Sequence, residues 1–461
     1  MSLSGAMNTA VSGLAGQSVA LSSISNNVAN SQTTGFKQTD TTFESYLTES
    51  NANVSAPGTV VARPQYTNDQ QGTIVQVNNP TSLAIAGQGF FPVQQQVGQL
   101  NGKPIFNAQQ FYTRAGDFVP NSLGNLVNST GYTLDGFPAQ VTSGGVTTFN
   151  KAALVPVQID QSPSPPVATT TMSLAANLPS TPPAGATSFT STQQIYDPLG
   201  NTHDVTMNWQ QVLPVAPATA ATNQYTLTIN ATGSSTQPTT GPLLITFGTG
   251  AAPAGNGAAA GTILSIAPAA TDPANTVPSA AVQAAATATS ATPAAVNMNL
   301  NYGTGAQPLT LNLGTFQSAN GITQYSGSTF AVTSQTQDGL PQGNYTSVSV
   351  SSEGNVVANY DNGATKVLAQ VPLATFSSPD SLQAQDGETF TQTLDSGTAN
   401  LVTVNTEGSG KLVTGAIESS NVDIASQFTQ MIIAQRAYTA NTKMISTVSQ
   451  LLQDTLNMVQ G

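Results

Sequence analysis

The fold of this chain is decided by residues 420 to 460, Ser420-NVDIASQFTQMIIAQRAYTANTKMISTVSQLLQDTLNMV-Gln460, the one long run with a sustained helical period. Counting sevens from Ile424 gives Met431, Tyr438, Ile445, Leu452 and Val459. A second row reads Phe428, Gln435, Thr442, Ser449 and Leu456, and Ala437, Met444, Leu451 and Met458 flank the first. Apolar residues at these spacings make a coiled-coil-like seam with a polar middle. Ser420-Asn421-Val422-Asp423 has the form of a capping box and predicts the helix start there. A rod of this length, roughly 60 Å at 1.5 Å per residue, cannot bury its stripe against itself and needs a partner.

The partner is predicted at the other end. Met7, Leu14, Leu21 and Val28 fall seven apart over residues 1 to 30, with Leu3, Ala10, Gln17 and Ile24 in the alternate row. Gly5, Gly13 and Gly16 sit inside this pattern, each costing about 1 kcal/mol relative to alanine in a helix interior. The segment should therefore be weak in isolation and order on assembly. An intramolecular hairpin of the two helices is the competing reading. The few charges of the C-terminal helix, Asp423, Arg436, Lys443 and Asp454, cancel, so the paired ends would be nearly neutral.

Composition narrows the function. Only 7% of the 461 residues are charged, with 21 acidic against 9 basic. No Lys/Arg cluster is available to neutralise phosphates, so no nucleic-acid partner is expected. Cysteine is absent, which removes disulfide and thiolate chemistry together. No run approaches 18 apolar residues, so no membrane insertion is expected. Residues 1 to 36 carry no Lys or Arg, which argues against a cleaved secretory leader. The one histidine, His203, lies beside Asp204 without a nucleophile motif, and no spacing suits a metal or phosphate. No catalytic, cofactor or metal residue is assigned. Trp209 is expected in a core.

Between the helices the pattern is β. Residues 31 to 70 read as an extended linker. Alternating strands separated by Gly and Asn-Gly breaks follow over 71 to 145 and again over 330 to 410, and are read as the two halves of one discontinuous domain. The insertion 146 to 329 forms another β domain. Between 230 and 310 only short apolar runs such as Leu243 to Phe247 and Ile263 to Ile266 interrupt an Ala-, Thr-, Pro- and Gly-rich composition, leaving room for an extra subdomain. Residues 411 to 461 complete the helical domain. The expected fold class is multidomain α+β, with terminal helices paired as a coiled-coil-like inner domain and discontinuous all-β outer domains.

Asn26-Asn27-Val28-Ala29-Asn30-Ser31-Gln32-Thr33-Thr34-Gly35-Phe36-Lys37 closely resembles the Asn-Asn-x-Ala-Asn-x-x-Thr-x-Gly-Phe-Lys signature of the bacterial flagellar rod and hook axial proteins. Residues 416 to 423 and 434 to 441 are similar to the same family near its C-terminus. Thr169 to Leu178, Ile195 to His203, Thr323 to Tyr325 and Gln337 to Gly343 resemble the outer domain of its hook-forming members.

The resemblance implies a structural subunit that polymerises with itself into a curved, flexible tube. That tube joins motor to filament and encloses an export channel. Rod, hook-cap and hook-filament junction proteins and a type III export apparatus would be its partners, at an extracellular location and without a cofactor. A distal rod subunit, or a secreted adhesin with a coiled-coil stalk, remain alternatives. Gln17, Gln435, Thr442 and Ser449 are read as polar seam positions that let helices slide.

Overall fold

A computed structural model describes residues 3–50, 55–141, 147–182, 188–212, 223–236, 242–250, 258–269, 292–406 and 408–460. Side chains of residues 3, 4, 47–50, 55–57, 459 and 460 lie outside this description, which leaves Leu3 and Val459 of the predicted seams unplaced. The chain has terminal helices and a mostly β body. It divides into two compact units, one of residues 1–161, 346–359 and 365–461, the other of 162–345 and 360–364.

In the first unit, helix α1 (Leu3–Ala29) and helix α2 (Ile424–Gln460) run antiparallel. A Cβ on Gly13 would lie 2.9 Å from Asn441 Nδ2, and Asn27 Nδ2 donates to Gln427 Oε1 at 3.1 Å. As α1 advances, its partners on α2 therefore recede. The capping box is corrected. Asp423 accepts from the Ala425 and Ser426 amides, so the cap is Asp423, three residues after Ser420, and the helix starts at Ile424. The reason is that Asn421 is held away from helical geometry. Its Oδ1 accepts from the Gln38 amide at 2.8 Å, and its Nδ2 reaches the carbonyls of Thr67 and Gln70.

Residues 31 to 70 are more ordered than a linker. Strands β1 (Thr39–Ser50) and β2 (Ser55–Tyr66) form a long antiparallel hairpin. The hydroxyls of α1 hold it. Ser12 Oγ accepts from the Val60 amide at 3.1 Å, and Thr9 Oγ1 donates to the Gly58 carbonyl at 3.0 Å. Gly16 lies close against the Phe43 ring, where a Cβ would come within 3.0 Å of a ring carbon. The Ser, Thr and Gly content that lowers helix propensity is what lets a strand pair lie against this helix.

The β body of the first unit interleaves two separated stretches of chain. Strand Tyr132–Val141 pairs with Phe91–Leu100 and, through Phe137 opposite Gln370, with Thr365–Gln370. Phe111–Thr113 pairs with Thr389–Thr391, Leu83–Ala86 with Lys411–Thr414, and Ile74–Gln76 with Ala416–Glu418. Phe90, Tyr112, Phe376 and Phe390 contribute edge-to-face ring contacts at 4.9–5.9 Å, an arrangement that opposes the positive edge of one ring to the negative face of another.

The second unit is a β-sandwich. Five antiparallel strands run in the order Ser188–Tyr196, Thr202–Gln211, Gln224–Ala231, Leu243–Phe247, Ile263–Pro268. The other sheet has the order Pro293–Leu300, Gln307–Thr315, Thr171–Asn177, Ala331–Gln337. Burial alternates along the strands, as the side-chain period of two requires. Trp209, Met207, Leu227, Phe247, Leu311 and Phe316 meet in one core supplied by both sheets. The short apolar runs within 230–310 belong to these two sheets rather than to a separate core.

Candidate assembly surface and buried ion cluster

The side of α2 that faces α1 is built from small and polar residues. Gln427, Ala434 and Val448 are buried and Asn441 partly so, a row seven residues apart. On α1 the buried positions are Ala10, Gly16, Ala20, Ile24 and Asn27. Of the predicted N-terminal seam, Ala10 and Ile24 are inside, Leu14, Gln17, Leu21 and Val28 are half-buried, and Met7 is exposed. Small facing residues bring the helix axes close, which moves the contact row off the large apolar residues that define the heptad in sequence.

Those large residues are left outside. In the predicted C-terminal seam only Met431 and Ile445 are half-buried. Ile424, Phe428, Tyr438, Leu452 and Leu456 are exposed, as are the polar positions Gln435, Thr442 and Ser449. Ile432 and Ile433 add to the exposed set at 51% and 62%, and the row counting did not single them out. Thr442 Oγ1 donates to the Tyr438 carbonyl on its own helix, so it is not a polar contact to α1. Towards the end of α2, Leu456 and Met458 are 62% and 76% exposed.

The signature segment has a different role from the helices. Asn27 is fully buried. Besides reaching Gln427, it clamps the Thr39 peptide from both sides, donating to its carbonyl and accepting from its amide at 3.0 Å each. Asn30 closes the helix end onto Asn26 at 2.9 Å, and Thr33 donates to Asn30 at 3.2 Å. Asn26 and Ala29 are exposed and Phe36 is buried. Gly35 has φ +72°, and a Cβ there would meet the Ala115 backbone nitrogen at 2.4 Å, so only glycine fits.

Lys37 ends the segment inside the protein. Its Nζ lies 2.6 Å from Glu418 Oε1, while Arg114 Nη1 lies 3.0 Å from Glu418 Oε2, and all three side chains are at most 1% exposed. The Gly72 amide also donates to Glu418 at 2.8 Å. Arg114 reaches the Gly87 carbonyl at 2.9 Å and covers the Phe90 ring at 5.1 Å. Burial lowers the Lys37 ammonium below the usual lysine range, with the Glu418 charge opposing it. Burial likewise lowers Arg114, again against Glu418. Two cations on one carboxylate thus join the foot of α1, the β body and the strand leading to α2. Sequence reading placed Lys37 in a motif without its partners, since nothing local links residues 37, 114 and 418.

In the second unit His203 Nε2 lies 3.2 Å from Asp197 Oδ2, not against its neighbour Asp204, and stacks on Tyr302 at 3.6 Å. Burial would raise the Asp197 carboxyl. Hydrogen bonds from Asn201, His203 and the Leu199 amide outweigh it and bring the group to about 2. This geometry closes the 197–201 turn. Among the described residues no group of three or more His, Cys, Asp or Glu could hold a metal ion, and no helix is long and apolar enough to cross a membrane.

Against known families, residues 7–37 match the flagella basal body rod protein model and 84–177 the flagellar hook protein FlgE/F/G D1 domain. Residues 163–340 match the flagellar basal body protein FlaE D2 domain, and 413–458 the flagellar basal body rod FlgEFG protein C-terminal model. The flagellar hook protein FlgE of Brucella suis is 32% identical over 99% of this chain and 100% of its own length. The chain belongs to the flagellar hook protein family. FlgE of Rhizobium meliloti is also 32% identical over 99% of the chain and 100% of its length, and FlgE of Salmonella typhimurium 28% over 97% and 98%. The crystal structure of Helicobacter pylori flagellar hook protein FlgE2 aligns with a TM-score of 0.45 at 13% identity, covering 75% of this chain and all of that one. As a hook protein the chain is a structural subunit of the flagellum.

Proposed function

We propose that copies of this chain polymerise through the exposed apolar sides of α1 and α2 into the curved, flexible tube of the hook. In this reading the terminal helices form a coiled-coil-like inner domain around an export channel, and the β-rich units form separate domains of the tube wall. Torque passes along the inner helices, while β surfaces with few ion pairs permit bending. The observation that carries the reading is the set Phe428, Ile432, Ile433, Leu451, Leu456 and Met458, all at least 49% exposed on a single helix. Large apolar side chains left in solvent in this number mark an interaction site, and an open helical polymer would cover them in every copy.

The rod, hook cap, hook-filament junction proteins and type III export apparatus are the proposed partners. The proposed location is extracellular, reached without a cleaved leader, and the role is non-enzymatic. Hooks isolated and stripped of filament should contain this chain as their main component; hooks lacking it would reject the assignment.

A further inference from the structure

Next to the ion cluster, the first unit has a small, partly open pocket of about 20 Å³, lined by residues that include Asn68, Gln88, Phe90, Arg114, Phe376 and Pro379. Two of these wall residues carry polar atoms with no hydrogen-bond partner among the described residues: the Arg114 Nε donor and the Asn68 Oδ1 acceptor. Both residues are 1% exposed, so bulk solvent does not serve them. Their other polar atoms are occupied. Asn68 Nδ2 donates to the Pro379 carbonyl at 3.0 Å, and the Arg114 terminal nitrogens reach Glu418, Ile85 and Gly87. An unmet buried donor or acceptor costs about 1–3 kcal/mol, so an orphan of each kind on one cavity wall calls for a common partner.

We infer that this cavity is a binding site for a single structural water that accepts from Arg114 Nε and donates to Asn68 Oδ1. Size admits water and chemistry selects it. One molecule needs about 10–15 Å³ of cavity, which this pocket provides. A monatomic anion would serve Arg114 but stand against the Asn68 oxygen and the Asp69 carboxylate on the same wall. A cation would serve Asn68 but stand beside the Arg114 guanidinium. Only a ligand that both donates and accepts satisfies both atoms. The bridge extends the Lys37–Glu418–Arg114 cluster to the segment after β2 and, through Asn68, to the Pro379–Ser381 turn. It does not depend on the hook reading.

The test is a structure of the full chain at a resolution that shows ordered solvent, for the wild type and for Asn68→Leu and Asn68→Asp. One solvent peak within hydrogen-bond distance of both atoms is expected in the wild type. It should persist in Asn68→Asp and vanish in Asn68→Leu, while the Lys37–Glu418 pair stays in place. A cavity without density, a peak that survives Asn68→Leu, or a peak that gains anomalous signal when chloride is exchanged for bromide would overturn the proposal.

Discussion

The Lys37 ammonium stands 2.6 Å from the Glu418 carboxylate across 381 residues of chain, with both side chains shut off from solvent. The contact closes the base of the helical pair. Lys37 follows α1, Glu418 precedes α2, and Arg114 holds the same carboxylate from the β body. A buried pair of this kind is weak evidence for stability in itself, because desolvation offsets attraction, but breaking it by removing one partner is costly.

Glu418→Gln leaves two buried cations without a counter-charge and should destabilise the first unit by about 3–5 kcal/mol. Lys37→Met keeps the Arg114–Glu418 pair and should cost less. Denaturant unfolding followed by circular dichroism tests the order. Equal effects would mean that Glu418 does not act as the shared anion.

Gly35→Ala sets a Cβ against the Ala115 backbone at a positive φ. Neither the body nor the turn can yield cheaply, so a loss of at least 1–3 kcal/mol is expected. Gly102→Ala, also at positive φ but with open space around it, should lose less. A comparison of their unfolding midpoints separates steric contact from backbone strain.

Asp135 predicts a pH dependence. Burial, only partly offset by the Gln110 hydrogen bond, raises its carboxyl from 3.8 to about 7. Between these values the folded form keeps a proton that the unfolded form has released. The associated stability is therefore fully present below about pH 4 and declines as pH rises towards 7, with a slope of at most about 1.4 kcal/mol per pH unit. Asp135→Asn should flatten this decline; an unchanged slope would place the titration elsewhere.

Trp209 is the single tryptophan of the chain and is fully buried in the second unit. Its fluorescence reports that unit alone. Trp209→Ala should cost about 3–5 kcal/mol there, read by denaturant unfolding followed by circular dichroism, while leaving polymerisation at low denaturant intact.

Limited proteolysis of the monomer should trim α1, the β1–β2 hairpin and α2. Sequence reading sets the C-terminal stop near residue 410. Strands Lys411–Thr414 and Ala416–Glu418 are paired into the body, which moves the expected stop beyond Glu418. Full protection of both ends would contradict an assembly-dependent helical domain.

Helix positions and β alternation are legible in the sequence because they are local periods. Gly35 and Lys37 are legible only as part of a signature. What the sequence conceals is the third dimension. Gly13 and Gly16 look like defects in a helix and are places of close approach, to Asn441 and Phe43. A heptad count selects large residues, whereas the intrachain contact uses Ala20, Ala434, Asn27 and Gln427 and leaves most of the large residues of α2 exposed. Residues 31 to 70 show no sustained period because one side of the hairpin packs on hydroxyls and glycine rather than on an apolar core.

The central claim is that the exposed apolar residues of α2 are the subunit interface. Its most direct test is electron microscopy of the full chain carrying Ile432→Ser and Leu456→Ser under conditions in which the wild type forms tubes. The account predicts a folded monomer with wild-type far-ultraviolet circular dichroism and no tubes. Tubes of wild-type length and curvature would contradict it.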